Sequence, residues 1–151
     1  MGSMIWAIVL AAGESKRMNA PKMLLPFRGS TILETTIGNI AESEVSNIMV
    51  VLGAYSKVIL SVVENMPVTY CINDKYKDGM LSSVKCGFRN LPPVFESVLV
   101  FPGDQPLISP GIINEVIKAW RRTSKGIVVP VYRKKRGHPL LIDYKYREEI
   151  N

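Results

Sequence analysis

Cysteine, histidine and long apolar runs are all scarce in this chain, and each scarcity closes off a class of explanation. Its 151 residues include two cysteines and one histidine. Cys71 and Cys86 stand alone, without the paired spacing of a metal site, and read as reduced, partly buried small hydrophobes. No apolar run reaches the ~20 residues that span a bilayer. The beginning of the chain lacks the charged, apolar and small-residue succession of a signal peptide, so a cytoplasmic enzyme with no membrane partner is the expectation. Repeats, low-complexity stretches and linkers are missing too. What is present, 47% hydrophobic and 21% charged residues, describes one globular domain over residues 4–151. Met1-Gly2-Ser3, ahead of a second methionine at Met4, reads as an expression remnant.

Ile5 to Leu10 is short, apolar and β-branched, as suits a strand buried on both faces of a parallel sheet. It breaks into Ala11, Ala12 and Gly13, whose small side chains let a ligand approach the main chain, and Gly13 can take a positive φ that turns successive N–H groups toward one point. Arg17 and Lys22 add two cations beside those donors, a grouping suited to an anion with several oxygens. Named phosphate loops do not fit. Pro21 precedes Lys22 and Met23 follows it, which excludes a P-loop, and Ser15 stands where a dinucleotide fingerprint requires glycine.

Farther along, Thr31 to Glu34 has capping-box spacing and opens a helix through Leu33, Ile37 and Ile40. Ile48 to Leu52, Val68 to Ile72 and Val98 to Phe101 read as further strands. Helices are expected through Val58 to Val63, Leu81 to Leu91 and, after Ser109-Pro110, Ile113 to Trp120. Ile127 to Tyr132 and Leu140 to Ile142 are the last strand-like runs. Strands alternating with helices imply right-handed crossovers and a three-layer α/β/α, Rossmann-like fold with a mostly parallel sheet. Ligands in such sheets sit off the carboxyl ends of the strands.

Three strand ends carry chemistry. Asp104, in Pro102-Gly103-Asp104-Gln105-Pro106, follows a buried strand and is placed either to hold a divalent cation or to close a turn on its own backbone. Asn73 follows the third strand. Ser82 and Ser83 begin the next helix, where hydroxyls either meet a sugar or phosphate or satisfy helix-end donors. His138 sits in a basic turn, Arg133 to Pro139, readable as a solvated tip or as a substrate contact. The net charge of +6 gathers toward the carboxyl-terminal third, where from Lys118 to Arg147 ten cations meet only Asp143. Without aromatic interleaving or a recognition helix, a phosphorylated small molecule suits this surface better than nucleic acid.

Leu10 to Pro26 resembles the signature of the small nucleotidyltransferases that attach a nucleotide to molybdopterin: Leu-Ala-(Ala/Gly)-Gly-x-Ser-x-Arg-(Met/Phe)-(Gly/Asn), then Lys-x-Leu-Leu-Pro. The Gly-Asp-x-Pro at Gly103, the Asn after the third strand, the Gly-Met-x-x-Ser helix start at Gly79 and the Gly-His-Pro at Gly137 are similar as well. The resemblance implies a nucleotidyltransferase fold and transfer of CMP from CTP to molybdopterin, with pyrophosphate released. Ala12 goes with the cytidylyltransferase branch. By the same resemblance, Asp104 is the Mg²⁺ ligand and Arg17 and Lys22 stabilise the triphosphate. Leu10, Ala11, Ala12 and Gly13, with Asn73 and Ser82, serve the nucleotide. His138 and Arg136 serve the molybdopterin side, and a molybdoenzyme is a possible partner. Guanylyl or sugar-phosphate transfer, or a non-catalytic maturation chaperone, are the alternatives. Family members run on to a further helix and a second acidic metal ligand, so a chain ending at Asn151 is expected to be short at its carboxyl terminus, with Asp143, Glu148 and Glu149 no replacement.

Overall fold

The computed structural model describes residues 4–14, 21–123, 126–132 and 135–150. The readings made of Met1–Ser3, Ser15, Arg17, Arg133 and Lys134 lie outside the described residues. Strand β1 (Ile5–Ala11) is buried along its whole length. The chain continues through a 3₁₀ turn at Lys22–Leu24, a hairpin of β2 (Pro26–Phe27) and β3 (Ser30–Thr31), then α1 (Ile32–Ala41), β4 (Asn47–Leu52), α2 (Ser56–Val63) and β5 (Thr69–Ile72). A second 3₁₀ turn at Tyr76–Asp78 leads into α3 (Met80–Arg89), β6 (Ser97–Pro102) and α4 (Pro110–Thr123). Four short strands follow, β7 (Ile127–Val128), β8 (Val131–Tyr132), β9 (Lys135–Arg136) and β10 (Leu140–Asp143), before a last helical turn, α5 (Arg147–Ile150).

The main sheet has the order β5-β4-β1-β6-β10-β7. β5, β4, β1 and β6 run parallel, whereas β10 pairs antiparallel with both β6 and β7. Side-chain alternation divides the core in two. Ile5, Ala7, Val9 and Ala11 face Leu33 and Ile37 of α1, Ile59 and Val63 of α2, and Ile113 and Ile117 of α4. Trp6, Ile8 and Leu10 face Cys86 and Phe88 of α3, with Ile150 of α5 packed against that cluster. Right-handed crossovers explain the split: β1 to β4 and β4 to β5 step one way and place α1 and α2 together, while β5 to β6 steps back and places α3 opposite. The result is the three-layer α/β/α arrangement expected from the sequence.

Local signals operate where the sequence placed them. Thr31 caps α1 through Glu34 N at 3.1 Å, and Glu34 Oε1 returns the bond to Thr31 N at 3.2 Å, a complete capping box. Ser109 Oγ accepts from Ile112 N at the start of α4. One expectation fails. The run Ile127 to Tyr132 is two strands in different sheets, because Pro130 has no N–H to continue a ladder. No described helix is long and apolar enough to cross a membrane.

Ile37 is fully buried between α1 and the sheet. Truncation there leaves a cavity, and Ile37→Ala is expected to lower unfolding free energy by about 2–5 kcal/mol, read from the midpoint of urea denaturation.

Candidate active site

Strand order reverses between β1 and β6. The chain steps from β1 outward to β4 and β5, then returns through α3 to pair on the other side of β1. Connections leaving the two carboxyl ends diverge, and a crevice opens between them. A cavity of about 240 Å³ lies there. Leu10, Ala12 and Gly13 supply its β1 side, Pro102 and Asp104 its β6 side, and Met23, Tyr76, Met80 and Ser83 close the rest.

The loop after β1 departs from one expectation. Among the described glycines only Gly29 and Gly79 have positive φ, so Gly13 does not make the left-handed turn read from the sequence. Its contribution is space: nothing lies within 4 Å of where a Cβ would stand. Ala11 also turns away from the cavity, since the strand alternation sends it into the core against α1. Leu10 and Ala12 face the other layer and reach the cavity.

Lys22 and Asp104 meet at the mouth, with Nζ to Oδ2 at 3.1 Å across 82 residues of sequence. The contact is built by packing. Met23, next to Lys22, lies so close beneath Gly103 that a Cβ there would sit 2.7 Å from the methionine Sδ and 2.9 Å from Leu10 O. Only glycine lets the β6 end fold down onto β1, and Gly103 N donates to Leu10 O at 2.9 Å. Half-exposed Lys22 and less exposed Asp104 thus stand together beside backbone that ligand can reach. Arg17 lies outside the described residues.

Two residues overlooked in the sequence hold the Asp104 turn from α1. Thr36, 1% exposed, places Oγ1 2.9 Å from Gly103 O, sharing its proton with Ile32 O at the same distance. Asn39 Nδ2 donates to Pro106 O at 3.0 Å. The signal for Thr36 was present: a hydroxyl inside the apolar stripe of Leu33, Ile37 and Ile40 needs a buried partner.

Asn73 and Ser82 join a different node. Asn73, 3% exposed, donates from Nδ2 to Ser82 Oγ and Ser83 Oγ, both at 2.9 Å, and accepts from Lys75 N at 3.0 Å. Ser82 Oγ also reaches the carbonyls of Lys75 and Gly79. Gly79, at φ 104° and ψ 177°, takes a conformation open only to glycine and starts α3. Of this node, Ser83 faces the cavity, whereas Asn73 and Ser82 line a separate pocket on its outer side. His138 is exposed and lies two residues before β10, whose first residue, Leu140, pairs with Val100 of β6. Arg136, also exposed, stands on the hairpin strand β9 just before it. Neither lines the cavity. Asp143 is at the opposite edge, facing Ser97, where it accepts from Trp120 Nε1 at 2.8 Å.

Among the described residues no three His, Cys, Asp or Glu side chains converge as a metal centre. Asp104 offers one carboxylate at the crevice, which matches Mg²⁺, a cation that takes one or two carboxylates and leaves its other positions to water and phosphate oxygens.

A sequence profile described as MobA-like NTP transferase domain matches residues 7–151. The chain is 33% identical over 142 residues to the molybdenum cofactor cytidylyltransferase of Escherichia coli K12, covering 93% of this chain and 70% of that protein. It is 28% identical to nicotine blue oxidoreductase of Paenarthrobacter nicotinovorans, covering 97% and 74%. In structure it superposes on Rv0371c of Mycobacterium tuberculosis H37Rv, solved in complex with manganese, with a TM-score of 0.82 at 23% identity, over 98% of this chain and 75% of that one.

Replacing Thr36 by valine keeps the shape and strands the buried Gly103 carbonyl. Thr36→Val is expected to cost about 1–3 kcal/mol in urea unfolding, and Thr36→Ser to retain most of that stability.

Proposed function

This chain belongs to the MobA-like NTP transferase family and is a nucleotidyltransferase, and we propose that it transfers CMP from CTP to the terminal phosphate of molybdopterin. The observation that carries this reading is the Lys22–Asp104 pair at the mouth of a cavity walled by Leu10, Ala12 and Gly13. Charge for a triphosphate and small-residue backbone for a base and ribose meet in one crevice. One feature favours a pyrimidine: Ala12 stands where the cytidylyltransferase branch has alanine.

In the proposed reaction an oxygen of the acceptor phosphate attacks the α-phosphorus of CTP in line. The bond from that phosphorus to the bridging oxygen breaks, and pyrophosphate leaves. Such a displacement requires alignment and neutralisation of charge on the phosphoryl oxygens rather than a covalent intermediate. Lys22 is a compact positive charge at the crevice mouth, suited to the β- and γ-phosphates and to the departing pyrophosphate. Arg17 is assigned the same task by the family signature. Asp104 would hold a divalent cation, proposed as Mg²⁺, which when bound neutralises charge on the phosphates. Both Asn73 amide hydrogens are taken by Ser82 and Ser83 and its oxygen accepts from Lys75 N, so its proposed service to the nucleotide is positional, fixing the α3 turn that brings Ser83 and Met80 to the cavity. His138 and Arg136, exposed on the segment that leads into β10, are proposed for the acceptor.

Pyrophosphate release from CTP and from GTP, each with Mg²⁺ and molybdopterin, tests the proposal. CTP is expected to be preferred, and Asp104→Asn and Lys22→Ala each to lower kcat/KM by roughly 10²–10³. Preference for GTP overturns the base assignment, release with sugar phosphates but not molybdopterin overturns the acceptor, and full activity in Asp104→Asn overturns the role of that carboxylate.

A further inference from the structure

Cys71 of β5 and Cys86 of α3 are buried, free thiols whose Sγ atoms stand 3.6 Å apart. Moving from there to the ~2.05 Å of a disulfide is a small displacement for two side chains that already touch. The pair is not sealed in the core. Cys86 lines a pocket of about 350 Å³ on the outer side of Asn73, away from the nucleotide cavity. Lys75, Lys85 and Arg89 line the same pocket, against a single carboxylate, Asp74. Lys85 and Arg89 are four residues apart on α3 and so project from one face. Among the described residues none of the three cations is held in an ion pair. Exposed Ile72 adds an apolar wall. A thiol opening into a cationic pocket is the setting in which cysteine chemistry becomes selective for anionic reagents.

We propose that Cys71 and Cys86 form a dithiol–disulfide site whose co-substrate is a small anionic disulfide of the glutathione class, seated among Lys75, Lys85 and Arg89. Cys86 reacts first, because it is the cysteine of the pair that lines the pocket. Its thiol loses a proton and attacks one sulfur of the bound disulfide. That S–S bond breaks, one thiol leaves with a proton, and a mixed disulfide remains on Cys86. Cys71 then loses its proton and attacks Cys86 Sγ, releasing the second thiol. In sum the two protein thiols are oxidised to one disulfide and the reagent is reduced to two thiols, with every hydrogen accounted for. Burial, then the neighbouring Cys86, pushes the Cys71 thiol up to about 12, with Arg89 pulling the other way. Once Cys86 is in a mixed disulfide it carries no charge, so its contribution disappears and only the part due to burial opposes the second step. The bond would tie β5 to α3, the helix that brings Met80 and Ser83 to the nucleotide cavity. None of this depends on which nucleotide or acceptor the enzyme uses.

The test treats the folded chain with oxidised glutathione and follows free thiols and intact mass. Loss of both thiols with no glutathione retained is expected, whereas Cys71→Ser is expected to stop with one glutathione on Cys86. The surface variant Lys75→Glu/Lys85→Glu, which keeps both thiols and the Arg89 guanidinium beside Cys71, is expected to react about tenfold more slowly with oxidised glutathione and at an unchanged rate with an uncharged disulfide. Persistence of both thiols, stable adducts without an internal bond, or equal rates with the charge-reversed variant would each overturn the proposal. So would a rate independent of glutathione concentration, which marks reaction through unfolding.

Discussion

Burial of β1 on both faces is the constraint from which the rest follows. A strand with β4 on one side, β6 on the other and helices above and below has no lateral access to solvent. Its hydrogen bonds are spent in the two ladders and its side chains in the two cores. Chemistry can appear only where the strand runs out, and the chain must there exchange large apolar residues for Ala12 and Gly13. Because the order of strands reverses between β1 and β6, the ends of those two strands face each other across a gap that no crossover fills. Site and fold are two readings of one topological fact.

The Lys22–Asp104 contact shows how such a gap is made chemically useful. An ion pair with one half-exposed member contributes little to stability, since water screens it and two side chains must be ordered to form it. Its weakness suits a site that has to exchange partners. A polyphosphate is a stronger partner for an ammonium than one carboxylate, and on the proposed reading Lys22 would turn to the phosphate and leave the Asp104 oxygens to a cation. Rigidity is supplied elsewhere, by neutral bonds: Thr36 on Gly103 O, Asn39 on Pro106 O and Gly103 N on Leu10 O hold the backbone without calling on the charged pair.

Much of this was legible in the sequence because the signals are local. The capping box at Thr31, the cap at Ser109, the apolar period of α1 and the strand-end Asp104 each depend on a few neighbouring residues, and each stands where it was read. Failures come from information that is not local. Gly13 was read as a left-handed turn because glycine permits one, yet permission does not decide the backbone, and the residue serves by leaving room. Ile127 to Tyr132 has the composition of one strand, but Pro130 forbids the ladder and its halves join different sheets. Nothing in the chain order marks Lys22 as the neighbour of Asp104, or Thr36 as the support of Gly103, for those contacts exist only after β6 has paired with β1.

The node around Asn73 carries the same logic to the outer strand. A buried amide can be left unpaired only at a cost of about 1–3 kcal/mol, so the asparagine commits its N–H groups to Ser82 and Ser83 and its oxygen to Lys75 N. That commitment locks the start of α3 to the end of β5, and Gly87 lets the helix press against Ile8 at a distance a Cβ would not tolerate. The thiols of Cys71 and Cys86 meet one turn farther along the same seam. Helix α3 is therefore held to the sheet at three successive points. The first of them has two faces: Ser83 lines the cavity between β1 and β6 and Ser82 the cationic pocket outside, so a single hydrogen-bonded amide borders both.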